Sequence, residues 1–307
     1  MISPYVRRLR LAAEVRALRT KAGLTADQLG KRIGRSRADI SRLENGHVVD
    51  QADVMKILDE LGVNGDRWTL IMTIAREASE DGWWKSQKAM GDRQALYADL
   101  EAGATSIAVY EQTFLPGLLH IPEYVRARAE ADATLEPMTT STVEGVLAGN
   151  AGRQRMFRRP GGPTLDVVVD EVAVRRPTAP PEIVKKQLYH LVGAVNSDSR
   201  VTVRVLPVEA RIESFTVPWC AFSTYTYPDP GDPVVVAIDT VISDLVLTEP
   251  PRWPPTSSFS GGCRRRAAAR RQPGPAHQSR HRTPRPVSGQ PCGDGETLRF
   301  DAHSVVC

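Results

Sequence analysis

Few side chains in this 307-residue chain are spaced for covalent chemistry. His120 and His190 stand alone, and Cys263, Cys292 and Cys307 all lie near the end of the chain, leaving Cys220 in its body. Neither a disulfide scaffold nor a metal-spaced Cys/His cluster is present. Asp170 and Glu171 are neighbours in a valine-rich run that reads as a strand, so they point to opposite faces and cannot form a general acid/base pair. Glycine-rich phosphate loops and nucleophile elbows are missing as well. On these grounds no enzyme, metal or cofactor is expected. What the chain does concentrate is guanidinium chemistry: Arg35, Arg37 and Arg42 stand among Ser36, Ala38, Ser41 and Asn45. A guanidinium can donate two bonds to O6 and N7 of guanine, worth about 1–3 kcal/mol of discrimination, and an alanine methyl can pack on the thymine methyl.

Helical elements must present these groups. From Arg8 to Gly23, Leu11, Val15, Leu18 and Ala22 recur at helical spacing, with Gly23 as the stop. Thr25 and Gln28 form a capping box that opens a second helix carrying Leu29 and Ile33, closed by Gly34. Ser36, with Asp39 three residues on, caps a third, whose buried edge is Ile40 and Leu43 and whose stop is Gly46. Asp50 caps a fourth, with Val54, Ile57, Leu58 and Leu61 inward, ended by Gly62. A fifth starts at Asp66 and buries Trp68, Ile71, Met72 and Ala75. With Ile40 and Leu43 inward, Ser36, Arg37, Ala38, Ser41 and Arg42 face out. Two short helices joined through Gly34-Arg35 make a helix-turn-helix.

The run Gly23-Leu-Thr-Ala-Asp-Gln-Leu-Gly30, followed by Gly34-Arg-Ser36 and Ile40-Ser-Arg-Leu-Glu-Asn-Gly46, resembles the Xre/Cro–phage repressor family of DNA-binding domains. The resemblance covers about residues 8–74. It implies an all-α, lambda-repressor-like fold whose base-reading positions fall on Arg37, Ala38, Ser41 and Arg42. Candidates for phosphate contact are Arg16, Lys31, Arg35, Ser36 and Asn45, the last through the backbone N–H groups near it and Gly46. The family often opens its second helix with a phosphate-touching Gln; Ala26 stands there, so that contact is not carried over. Arg19 and Glu44 match the family's pair linking the first helix to the end of the third, a structural ion pair.

Charge divides unevenly along the chain. Residues 1–49 carry a net +7, residues 50–249 a net −10 and residues 250–307 a net +7. A basic head on an acidic body directs the head toward a polyanion, double-stranded DNA, and the body elsewhere.

In the body, Gly82-Trp83-Trp84 opens a new segment whose aromatics are expected in the core. Strands are read at Ile107–Tyr110, Leu165–Val174, Val201–Leu206, Val217–Tyr225 and Pro233–Asp239, and helices at Pro122–Ala133, Thr140–Phe157 and Pro181–Val195. Their irregular interleaving predicts an α+β domain. Phe114-Leu-Pro-Gly-Leu-Leu119, Pro122-Glu-Tyr-Val-Arg126, Val168-Val-Asp-Glu-Val172 and Val201-Thr-Val-Arg-Val-Leu-Pro207 resemble the C-terminal domain shared by many actinobacterial Xre-type regulators. That resemblance implies a transcriptional regulator working, antitoxin-like, with a small protein encoded by an adjacent gene. A homodimer is expected with it. The organisation read here is 1–76 for DNA binding, 81–250 for the partner-binding body and 251–307 for a tail.

The tail has 9 Pro in residues 250–307, no Lys and little apolar periodicity, so disorder is expected. Arg without Lys fits GC-rich DNA read in another frame, and two readings stay open: a frame change near residue 250, or a basic arm on DNA. The longest apolar run, near Val234–Ile238, falls far short of the about 20 residues of a membrane span, so a cytoplasmic location without membrane contact is expected. Two other functions stay open. A ligand-sensing regulator would line a cavity with the tryptophans and strands. A self-cleaving repressor-type peptidase would cut at Ala102-Gly103, although Lys185 and Lys186 sit on a predicted helix rather than beside a poised serine.

Overall fold

Ser3 and Pro4 start the first helix earlier than the head-facing stripe indicates. In the computed structural model, which describes residues 2–48, 50–135, 141–210, 212, 217–240 and 244–248, Ser3 is the N-cap, accepting from the Val6 amide, and Pro4 takes the first helical turn. Five helices follow one another: α1 (Pro4–Lys21), α2 (Ala26–Arg32), α3 (Arg37–Glu44), α4 (Gln51–Glu60) and α5 (Gly65–Ala78). The predicted capping box of Thr25 with Gln28 is present, and the predicted Ser36 cap forms a second box with Asp39. Asp50 caps α4 by accepting from the Ala52 amide at 2.9 Å. Between α2 and α3 the chain turns at Gly34 with φ +71°, which a side chain would strain. The helices close on one core that includes Leu11, Val15, Leu29, Ile40, Leu43, Ile57 and Ile71. This all-α region is the helix-turn-helix part of the chain.

The rest is α+β. A 3₁₀ turn at Trp83–Ser86 leads to α6 (Asp92–Ala102), then β1 (Ser106–Glu111), a second 3₁₀ turn at Gly117–Leu119, α7 (Pro122–Leu135) and α8 (Val143–Phe157). β2 (Thr164–Asp170), α9 (Glu171–Arg175), α10 (Pro181–Ser197) and β3 (Val201–Leu206) follow, then β4 (Phe222–Thr226), β5 (Val235–Asp239) and β6 (Asp244–Leu247). The six strands form one mixed sheet in the order β3-β2-β1-β4-β5-β6. β1, β2 and β3 are parallel, joined by helical crossovers; β4, β5 and β6 add antiparallel. Register places Ile107, Val109, Leu165, Val167, Val203, Tyr225 and Val235 on one face. That face is covered by Leu100, Tyr124, Phe157 and Leu191 from α6, α7, α8 and α10.

Several boundaries differ from the sequence reading. The valine-rich strand stops at Asp170, because that carboxylate accepts from the Val172 amide at 2.9 Å and caps α9. Strand β4 begins at Phe222 rather than Val217, and neither α6 nor β6 was foreseen. Residues 251–307, with the disorder, frame change or basic arm expected of them, lie outside the described residues.

Candidate nucleic-acid interface

Helix α3 carries its charge on one side and its apolar residues on the other. Ile40 and Leu43 are each 2% exposed, whereas Ser36, Arg37, Ala38, Ser41, Arg42 and Asn45 are all exposed. The residue spacing explains this: Ile40 and Leu43 are three apart, and the polar positions fall on the remaining arc. The N-cap geometry fixes the first turn. The Asp39 amide donates to Ser36 Oγ at 3.2 Å, and the Ser36 amide donates to Asp39 Oδ2 at 3.1 Å.

The cations differ in how they are held. The Arg37 guanidinium has no carboxylate partner among the described residues and stands free in solvent. Arg42 Nη2 lies 2.6 Å from Asp39 Oδ1. Hydrogen bonds from Ser36, and then from Arg42, hold the Asp39 carboxyl down at about 2. Lys31 Nζ lies 2.7 Å from Asp27, one turn earlier on α2. Arg35 makes a two-pronged contact to Asp53 of α4, 2.7 Å through Nε and 2.8 Å through Nη2. Arg16 Nη2 donates to the Glu44 carbonyl at 2.6 Å and sits 3.4 Å from Asn45 Oδ1, at the C-terminal end of α3. The candidate base and phosphate contacts lie on α1, α2, α3 with its C-terminal end, and the turn between the last two, and all are exposed. All but Arg37 among these cations are already oriented by protein acceptors.

Arg19 and Glu44 form the anticipated pair: Nε to Oε1 at 2.5 Å and Nη2 to Oε2 at 2.8 Å. Arg19 also donates to the Leu24 carbonyl at 2.7 Å, tying α1, the turn into α2 and the end of α3 together. The acidic partners Asp27 and Asp53 escaped the sequence reading. Asp27 was visible in principle, at four residues from Lys31 on one helix face. Asp53 was not, because only tertiary packing brings it to Arg35.

Other singled-out residues lie elsewhere in the chain. His120 Nε2 donates to the Leu115 carbonyl oxygen at 2.7 Å, and burial pushes its imidazole down to about 4. His190 is also pushed down, by burial and then by Arg158. Trp84 is 5% exposed and packs edge-to-face on Trp83, 6.0 Å between ring centroids. A cavity of about 310 Å³ beside the carboxyl ends of β1 and β2 is lined by Gln112, Thr113, Asp170, Val172 and Arg176, and by neither tryptophan. Asp170 serves as a cap, and Glu171 pairs with Arg175 at 2.6 Å and accepts from the Val208 amide at 2.9 Å. Lys185 and Lys186 lie on α10, and Ala102 is wholly buried at the end of α6. Among the described residues no group of three His, Cys, Asp or Glu is placed to hold a metal ion, and no helix is long and apolar enough to cross a membrane.

Comparison with known families gives two matches. The family described as a domain of unknown function (DUF5753) covers residues 94–272, and that described as a helix-turn-helix domain covers residues 10–68. The first match runs past the composition break at residue 250. The second spans α2 and α3 and marks them as part of a DNA-binding domain. No curated protein and no solved structure matches the chain.

Proposed function

We propose, from the premise that this chain belongs to the DUF5753 family and carries a helix-turn-helix DNA-binding domain, that it is a sequence-specific transcriptional regulator of the Xre/Cro kind, acting by binding rather than catalysis. The carrying observation is the outward arc of α3, Arg37, Ala38, Ser41 and Arg42, over the buried Ile40 and Leu43. A helix with that profile enters the major groove with its first turns on base edges. Arg37, without a carboxylate partner among the described residues, is the foremost base reader, donating in a fork to guanine; Arg42 gives up Asp39 or shares it. Lys31, Arg35 and Arg16, with Ser36 and the backbone at Asn45, take phosphates.

Two chains acting as a homodimer would place recognition helices about 34 Å apart on successive turns, reading a pseudo-palindromic operator. The body, residues 81–250, is proposed to bind a small protein from an adjacent gene in an antitoxin-like pair, in the cytoplasm. Its support is the resemblance of that segment to the bodies of actinobacterial regulators and the exposed leucines of β6, the last strand of the sheet among the described residues, where Leu245 and Leu247 are 47% and 45% exposed. Enrichment of duplexes from a randomised pool by the full chain tests the reading. Recovery of one sequence with paired half-sites is expected; equal retention of every duplex at low salt, erased by moderate salt, would falsify it. Co-purification with the neighbouring gene product tests the partner.

A further inference from the structure

Helix α1 belongs to both halves of the chain. From Leu11 onward it gives Leu11 and Val15 to the helical core and sends Arg16 and Arg19 to the end of α3. Its N-terminal half docks on the body. Val6 joins the core over the sheet, and Ser3 Oγ and the Tyr5 amide both donate to Asp99 Oδ1 of α6, at 2.7 and 3.1 Å. Arg7 Nη1 lies 2.9 Å from Asp232 and 3.2 Å from Asp229; Arg10 Nη1 lies 2.5 Å from Asp229 and 3.3 Å from Asp232. Glu77 of α5 approaches Arg7 Nε at 2.9 Å. Both aspartates stand in the connection between β4 and β5. The side chains of Arg7, Arg10 and Asp232 are only 10%, 8% and 5% exposed, while Asp229 at the rim is 32% exposed. Buried ion groups with several mutual hydrogen bonds hold one arrangement, because releasing any of them strands a charge.

We propose that Asp229 and Asp232 determine operator geometry: they clasp α1, fix the direction in which each chain presents α3, and so restrict a dimer to half-sites of one spacing. This rests on the dimeric regulator proposed above. The lever is long. α1 has 18 residues, about 27 Å, so a tilt of about 10° at the clasp moves its far end by about 5 Å, more than one base-pair step of about 3.4 Å. The joint also has a steric key. A Cβ on Gly103 would come within 2.8 Å of the Ser3 nitrogen and 3.2 Å of Ile2 Cα. Beside it Ser3, Val6, Arg7, Tyr227 and Asp232 line a void of about 20 Å³. Gly103→Ala therefore pries at the joint without removing a charge.

The test uses full-length protein and duplexes enriched by the wild type, with the half-site separation then lengthened by one and two base pairs. Wild type is expected to lose roughly tenfold or more in affinity on the altered spacing, since a rigid pair loses one half-site. D229N/D232N and Gly103→Ala are expected to bind all spacings within about threefold while keeping the base preference of each half-site. Glu209→Gln, at an exposed acid away from the clasp, should behave as wild type. Clasp variants that melt as folded proteins yet keep the wild-type spacing preference overturn the proposal. So does a uniform rise in affinity with D229N/D232N at unchanged preference, which marks the two acids as mere repulsion. Should D229N/D232N not fold, Gly103→Ala decides alone. Wild type that enriches a sequence but ignores spacing removes the clasp only; wild type that enriches nothing removes the regulator beneath it.

Discussion

Arg7 and Arg10 at the start of α1, and Arg37 and Arg42 on α3, are the same residue type on helices of one N-terminal region, and they have opposite fates. The first two are nearly enclosed, each facing both Asp229 and Asp232 from more than 200 residues downstream. Of the second two, Arg37 meets no carboxylate among the described residues, and the Arg42 side chain is 67% exposed beside one acid on its own helix. A cation available to DNA is one whose present partner is water or a neighbour it can leave cheaply. Net charge alone therefore overstates the head's basic surface, because two of its arginines are spent within the fold.

Substitutions can break this contrast, beginning with the largest effect. Arg7→Ala leaves the largely enclosed Glu77 without its partner and Asp229 and Asp232 with Arg10 alone, and should lower unfolding free energy by about 3–5 kcal/mol in denaturant titration. Arg42→Ala should stay within about 0.5 kcal/mol of wild type in the same assay. Equal losses for the two would abolish the distinction. Glu44→Ala, which frees the Arg19 fork and weakens the hold of Arg16, should cost about 3 kcal/mol and serves as a second buried reference.

Arg37→Ala reverses the pattern. Its stability should be unchanged, while discrimination at one base position falls by about 1–3 kcal/mol in competition binding. Lys31→Ala is milder still, weakening all duplexes alike and flattening the salt dependence by about one unit of log–log slope.

Acid should act on His120 and on the hydrogen-bonded aspartates in separate windows. His120 has its folded-state pKa pushed down to about 4, mainly by burial, against about 6.5 when unfolded. The unfolded chain then binds the proton first, so stability is lost as pH falls from about 6.5 to 4. Asp39 and Asp229 are both held at about 2 by their hydrogen bonds. Their contribution is intact above an unfolded value of about 3.9 and disappears only below it. Unfolding measured against pH should show the upper window flattened in His120→Gln and the lower one unchanged.

The helix-turn-helix was legible because its determinants are local. Thr25 with Gln28, Ser36 with Asp39, and the Ile40–Leu43 spacing lie within a few residues of one another, and helical geometry does the rest. The α+β body was legible in class, through its valine-rich runs and amphipathic helices. Its details failed where a local competitor or a distant partner intervened. Val172 and Val174 favour a strand, but Asp170 captures the Val172 amide and starts a helix. Val6 stands outside the head's stripe because it faces the body core. The Arg7–Asp232 contact joins residues 225 apart, beyond any periodicity.

The shared first helix also bears on modularity. A chimera that exchanges heads between relatives at the connection after α5 would carry Ser3, Arg7 and Arg10 away from the acids shaped to receive them. The transferable unit is a noncontiguous one: the opening turns of α1 must travel with Asp99 and the β4–β5 turn. Exchange of new reading heads onto this body therefore requires matched changes in separate stretches of the sequence, around Asp99 and around Asp229–Asp232.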